Sequence, residues 1–345
     1  MYKIRINNTL FRFFESYTLD MKFNSIADSF SFSGQKDFLP DILSYADCEI
    51  LDENDQVIIT GTIVNQKFEL DSNPTLINVS GYSKPGVLED CTIPISLYPL
   101  QSDNLSLKQI ADKVLQPFGV KYKYTANIMT EFNKKFKKTN AEPTQQVKEY
   151  LNQLASQRGI ILTHNAKGEL LFTKLDVSPL LPIANFTEGD TGILSMNLQI
   201  PGQSLHSEIT VIKQASFDNP DAGQKTLENI YCKSSRPMVK ILNSGDIFDI
   251  EKAARMELSN ELSQIKLVIQ TTKLVYPGNL ITVKAPSLKI FNEYDFFVEE
   301  TNIQGSTTND LYTLTCVVKD VYTLNYPPEY IFEEKIDFNN TIPKF

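Results

Sequence analysis

The chain has 345 residues, 41% of them hydrophobic and 22% charged, with a formal net charge of −9. That length exceeds one ordinary domain and supports substantial cores, while the acidic balance excludes a dedicated nucleic-acid binder, which needs a cationic footprint. Cys48, Cys91, Cys232 and Cys316 are far apart with no C-x-x-C pair, so neither a zinc site nor a disulfide framework is expected, only reduced thiols in the core. Met1-Tyr2-Lys3-Ile4-Arg5 leads into no apolar signal core and no run reaches transmembrane length, so synthesis and assembly in a reducing cytoplasm, with no membrane segment, are expected.

From Tyr2 to about Pro99 the apolar period is two. Residues 48–52 and 57–64 flank the polar turn Glu53-Asn54-Asp55-Gln56 and predict a hairpin. Residues 68–70 and 75–82 continue the meander across Asp71-Ser72-Asn73-Pro74, and residues 25–32 alternate as a half-buried strand does. Short strands with regular turns predict a small sandwich or barrel.

The pattern then changes. Leu107, Ile110, Ala111, Val114 and Leu115 lie on one helical face behind a Ser106-x-x-Gln109 capping box, and Pro117 with Gly119 ends the helix. A second helix carries Val147, Tyr150, Leu151, Leu154 and Ala155 and stops at Gly159. Residues 160–164 and 169–173 then form a hairpin around Asn165-Ala166-Lys167-Gly168. Strands return at 193–200 and 207–213, residues 217–225 are expected to be a loop, and a helix over 249–264 carries Glu251 and Arg255 at salt-bridge spacing. Strands follow at 265–275, 280–283, 296–303 and 311–318, and the residues beyond Pro327-Pro328 are expected to form an extended tail. The expected division is 1–100 first β domain, 101–185 α/β insert with two helices and a hairpin, 186–326 second β domain with one helix, and 327–345 tail.

Catalytic chemistry is hard to find. His164 and His206, the two histidines, have no His, Cys or acidic partner at metal-ligand spacing along the chain and are expected to be structural or on the surface. Asp52, Glu53 and Asp55 sit in a turn where solvated charge is routine, and lack the regular oxygen ligands and Gly of a calcium loop. Glu299 and Glu300 are strand neighbours that point to opposite faces, so they cannot flank one glycosidic bond. Lys134-Lys135-Phe136-Lys137-Lys138 is the sharpest charge run. It is read as a solvated linker in preference to a contact with an acidic partner or nucleic acid, although Phe132 and Phe136 have the chemistry to stack on a base. Neither a phosphate-binding Gly-rich loop nor a metal or cofactor site is expected.

Several motifs occur together in order: Ile26-Ala27-Asp28-Ser29-Phe30, Ile59-Thr60-Gly61, Gly81-Tyr82-Ser83, Leu88-Glu89-Asp90-Cys91 and Pro117-Phe118-Gly119. Leu151-x-x-Leu154-Ala155-x-x-Arg158-Gly159, Gly168-Glu169-Leu170 and Tyr276-Pro277-Gly278-Asn279 complete the series. In this order they resemble the Mu-type baseplate hub proteins of contractile phage tails, although that family's tryptophans are missing and the region of Gln203 and Ser204 matches only loosely. The resemblance implies an α+β, mainly β fold with two tail-tube-like β-barrel domains flanking a mixed α/β insert. It implies a structural virion component, not an enzyme: a homotrimer of pseudo-six-fold symmetry that adapts a hexameric tail tube to a trimeric central spike. Tail tube, spike and other baseplate proteins are the implied partners, and genome DNA would pass through the lumen without specific binding. Asp28, Phe30, Phe32, Leu280, Val283, Leu311 and Val318 are expected on the strands that build the barrels and ring. The alternative is a host-surface carbohydrate-binding tail protein, which would cluster exposed aromatics on loops, whereas most Phe and Tyr here fall in strand-like runs.

Overall fold

The computed structural model describes residues 2–12, 14–35, 42–69, 76–98, 101–136, 139–176, 180–213, 222–242, 250–306 and 309–333. They divide into two compact units. The first comprises Met1–Leu175 with Glu300–Tyr312, and the second Asp176–Gly245, Asp249–Glu299 and Thr313–Phe345.

In the first unit, β1 (Lys3–Ile6), β2 (Thr9–Phe11), β3 (Ser16–Lys22), β4 (Ser29–Gln35), β5 (Asp47–Leu51), β6 (Val57–Glu69) and β7 (Leu76–Ser83) form one curled sheet. Its order is β3-β4-β7-β6-β5-β1-β2, and residues 300–306 add a further strand beside β3. Strict alternation explains the inner face: Tyr17, Leu19 and Met21 of β3 and Phe30 and Phe32 of β4 are buried, while their neighbours are not. Phe14, Tyr17, Phe30 and Phe32 cluster there, with the Phe14 and Phe32 rings 4.6 Å apart. The predicted hairpin is β5 with β6, turning at Asp55 with φ +61° while Asp52 Oδ1 accepts from the Asn54 and Gln56 amides. Phe68 and Glu69 are not a separate strand but the end of the long β6, which pairs through to Leu76.

The insert follows without leaving the first unit. It contains α1 (Val87–Asp90), α2 (Leu107–Leu115), β8 (Tyr122–Tyr124), α3 (Met129–Asn133), α4 (Val147–Ser156), β9 (Ile161–His164) and β10 (Leu170–Thr173). The Ser106 and Gln109 capping box forms in both directions, and all five apolar residues of the α2 face are buried. Gly119 and Gly159 end their helices with φ of +64° and +63°. The β9–β10 hairpin is joined by β8, which runs parallel to β10. The short helices α1 and α3 lie outside the two-helix expectation: neither is long enough to carry a period of its own.

In the second unit, β11 (Ala184–Thr187) and β12 (Ile193–Gln199) precede a three-stranded sheet of β13 (Glu208–Lys213), β14 (Gly223–Glu228) and β15 (Pro237–Leu242), against which α5 (Ile250–Leu262) packs. Then come β16 (Lys266–Thr271), β17 (Leu280–Ala285), β18 (Ile290–Ser306), β19 (Asp310–Val318) and the one-turn α6 (Asp320–Thr323), with β18 belonging to this unit up to Glu299 and β19 from Thr313. The main sheet has the order β12-β16-β19-β18-β17-β11. One expectation is corrected. Gly223, Gln224 and Lys225 are not loop but the start of β14, held by six antiparallel pairs to β13; residues 217–221 of the expected loop lie outside the described residues. Of the expected tail, residues 328–333 pack on their own unit: Ile331 is buried, and the Tyr330 and Phe332 rings lie against Tyr231. Residues 334–345 lie outside the described residues.

Two stretches of the single 13-stranded sheet share a strand order. Setting aside the hairpin strand β2, each contributes six strands in sequence, and from the first of them the sheet runs first, fourth, fifth, sixth, third, second. In the first unit this is β1-β5-β6-β7-β4-β3, and in the second β11-β17-β18-β19-β16-β12. The second and third strands pair antiparallel in both, as do the fourth and fifth. The first strand differs: β1 runs antiparallel to β5, whereas β11 runs parallel to β17.

Candidate functional site

The motif residues converge where the insert meets the first sheet. Asp28, immediately before β4, is 5% exposed. Its Oδ1 accepts the Lys22 amide at 2.9 Å, its own amide donates to Ser83 Oγ at 3.1 Å, and the Ser83 amide donates to the Asp28 carbonyl at 2.9 Å. Ser83 ends β7, so the Gly81-Tyr82-Ser83 corner is pinned to the start of β4. Across from it His164 ends β9, with Nε2 2.8 Å from Asp28 Oδ2 and Nδ1 2.9 Å from the Ser25 carbonyl. Burial opposes charge on this imidazole, but the Asp28 carboxylate and the Ser25 carbonyl more than offset that and raise its pKa above the ordinary 6.5.

Neighbouring contacts seat the insert along the same seam. Ile26, 1% exposed, belongs to the insert's apolar cluster together with Leu88. Tyr82 donates its hydroxyl to Asp90 at 2.6 Å, Lys148 of α4 pairs with Glu89 at 2.6 Å, and the Cys91 carbonyl accepts the Val147 amide at the start of α4. The Leu88-Glu89-Asp90-Cys91 step therefore joins sheet, α1 and α4. At the β9–β10 turn, Asn165 Oδ1 accepts the Lys167 and Glu169 amides, and Gly168 adopts φ +69°. A Cβ on Gly168 would stand 2.7 Å from the Thr60 carbonyl of β6, and Thr60 Oγ1 donates to the Ala166 carbonyl at 2.7 Å. Turn geometry and close approach both require glycine there.

The second histidine makes a parallel arrangement in the second unit. Glu261 of α5, 7% exposed, receives His206 Nδ1 at 2.6 Å, the His206 amide at 2.9 Å and Asn229 Nδ2 at 3.1 Å. The histidines lack acidic partners along the chain, and the fold supplies one carboxylate to each. Among the described residues no group of three or more His, Cys, Asp or Glu is placed to hold a metal ion.

The other candidate residues separate clearly. Phe132 and Phe136 are both fully buried in the insert core, the latter beneath Arg158 at 4.2 Å, so neither presents a face to a base. Lys134 and Lys135 are exposed, while Lys137 and Lys138 lie outside the described residues. Glu299 is 5% exposed and accepts the Tyr322 hydroxyl, whereas Glu300 pairs with Lys22. Phe30 and Phe32 lie in β4, Leu280 and Val283 in β17, and Leu311 and Val318 in β19. Of the seven strand residues singled out, Leu311 alone is half-exposed; Asp28 and the other five are buried within their own chain. No helix among the described residues is long and apolar enough to cross a membrane.

The fold is similar to the tail protein from Neisseria meningitidis MC58, with TM-score 0.77 and 22% identity over 94% of this chain and 98% of that one. It is equally similar to the 43 kDa tail protein of prophage MuSo2 from Shewanella oneidensis, with TM-score 0.78 and 19% identity over 93% and 98%. In sequence, the chain is 29% identical to baseplate hub protein gp44 of Escherichia phage Mu over 119 residues, 34% of this chain and about a third (31%) of that protein. Residues 85–174, which contain the whole insert from α1 to β10, match the family described as baseplate hub protein gp44-like, second domain. The insert is thus similar to the second domain of gp44-like hub proteins, and the chain resembles the Mu-type baseplate hub proteins.

Proposed function

We propose that this chain is the structural hub of a contractile-tail baseplate, working as a homotrimer whose six β units form a pseudo-six-fold ring. The observation that carries the reading is the strand order common to the two stretches of sheet. Two like units per chain let three chains offer a six-fold tube six comparable surfaces, while the molecule keeps three-fold symmetry toward a spike. Subunit contacts fall to edges and exposed apolar groups, because the barrel residues named above are used inside the chain. In the second unit, edge strand β12 carries Leu194, 61% exposed, and Leu181 and Ile183 are 82% and 60% exposed beside β11.

On this reading the four-part division into residues 1–100, 101–185, 186–326 and 327–345 corresponds to barrel, insert, barrel and tail. The partners are tail tube, spike and other baseplate proteins, met during assembly in the host cytoplasm. DNA crosses an acidic lumen without specific contact, and the chain performs no catalysis. Light scattering of the purified chain, alone and with its spike, tests this. Three copies per particle on the tail axis are expected; a monomer in the presence of the spike, or an off-axis position in the assembled tail, overturns it.

A further inference from the structure

The buried pair of His164 and Asp28 has a consequence independent of the hub assignment. Both ring nitrogens of His164 face acceptors: the Ser25 carbonyl at Nδ1 and the Asp28 carboxylate at Nε2. A neutral imidazole has one N–H and cannot donate to both. The other carboxylate oxygen of Asp28 accepts the Lys22 amide, so that carboxylate is an acceptor at both oxygens, which matches an ionised group facing an imidazolium. Glu89 of α1 also acts on the ring at longer range, and it is itself paired with Lys148 of α4. The side chains of His164 and Asp28 are 8% and 6% exposed, so water barely screens the pair while the hairpin is in place.

We propose that His164 and Asp28 form a pH-gated latch that holds the β9–β10 hairpin of the insert against the first sheet while the imidazole is protonated. The sign follows from linkage. The imidazole has a higher proton affinity with the latch closed than in the open, solvated state. The latch is therefore at full strength below the ordinary value of 6.5, weakens as pH rises from there through the raised closed-state value, and is weakest above it. Its protection falls about tenfold for each unit separating those two values.

The test uses the full chain with ¹⁵N-labelled histidine, in which the two imidazoles are told apart by a His206→Asn control. Long-range ¹H–¹⁵N spectra are expected to show both His164 nitrogens protonated at pH 6. Hydrogen exchange in 161–173, corrected for its intrinsic pH dependence, is expected to accelerate as His164 titrates. In His164→Asn and Asp28→Asn that step is expected to be absent and exchange to be fast throughout. A neutral His164 tautomer at pH 6 overturns the proposal, as does protection of 161–173 that is unchanged in both variants. If neither variant folds, the titration and exchange of the unmodified chain decide the matter.

Discussion

Gly168 is the residue with the least latitude at the insert's seam. A side chain there would sit at φ +69° and press on the Thr60 carbonyl, so Gly168→Ala is expected to cost about 1–3 kcal/mol, read as a lower urea midpoint. Ser106 is a cap without such a clash, and Ser106→Ala is expected to cost about 1 kcal/mol in the same measurement. The thiols divide by burial. Burial, reinforced by Asp47, pushes Cys48 up to about 12, and burial with Glu299 nearby raises Cys316 further above the thiol range. Ellman's reagent is therefore expected to label Cys91 and Cys232 in the native chain at pH 8, and all four after denaturation.

For single elements, the clearest prediction concerns the aromatic pair once considered for base stacking. Phe132→Ala is expected to destabilise by about 3–5 kcal/mol, because the ring fills the core among Tyr122, Tyr124 and Phe172. Exposed Lys134→Gln is expected to shift stability by no more than about 0.5 kcal/mol, and chemical denaturation compares the two. These helices and hairpins were legible because their signals are local: a cap three residues from its partner, a turn of Asn-Ala-Lys-Gly, an apolar face of period 3.6. What stayed hidden depends on distance or on brevity. His164 meets a carbonyl 139 residues away and His206 a carboxylate 55 away, which no spacing rule encodes. Strand β15 escaped notice because Val239 and Ile241, 61% and 49% exposed, give it no polar outer face with which to alternate.

For the whole molecule, the order of assembly follows from the strand that residues 300–306 add beside β3. Asp20 and Asn302, hydrogen-bonded across that pairing, are 282 residues apart in the chain. On a ribosome working at about 5–20 residues per second, β3 has to wait roughly 14–56 s for this neighbour. During that interval one flank of β3 offers unmet amides and carbonyls to any other nascent chain, a hazard that grows with polysome density. A gene fragment stopping before residue 300 leaves the flank open for good and is expected to sediment with the insoluble fraction, while a separately supplied peptide spanning 300–306 is expected to return part of it to the supernatant. The nascent protein is thus most vulnerable along β3, and the much later strand at 300–306 is what makes that flank safe.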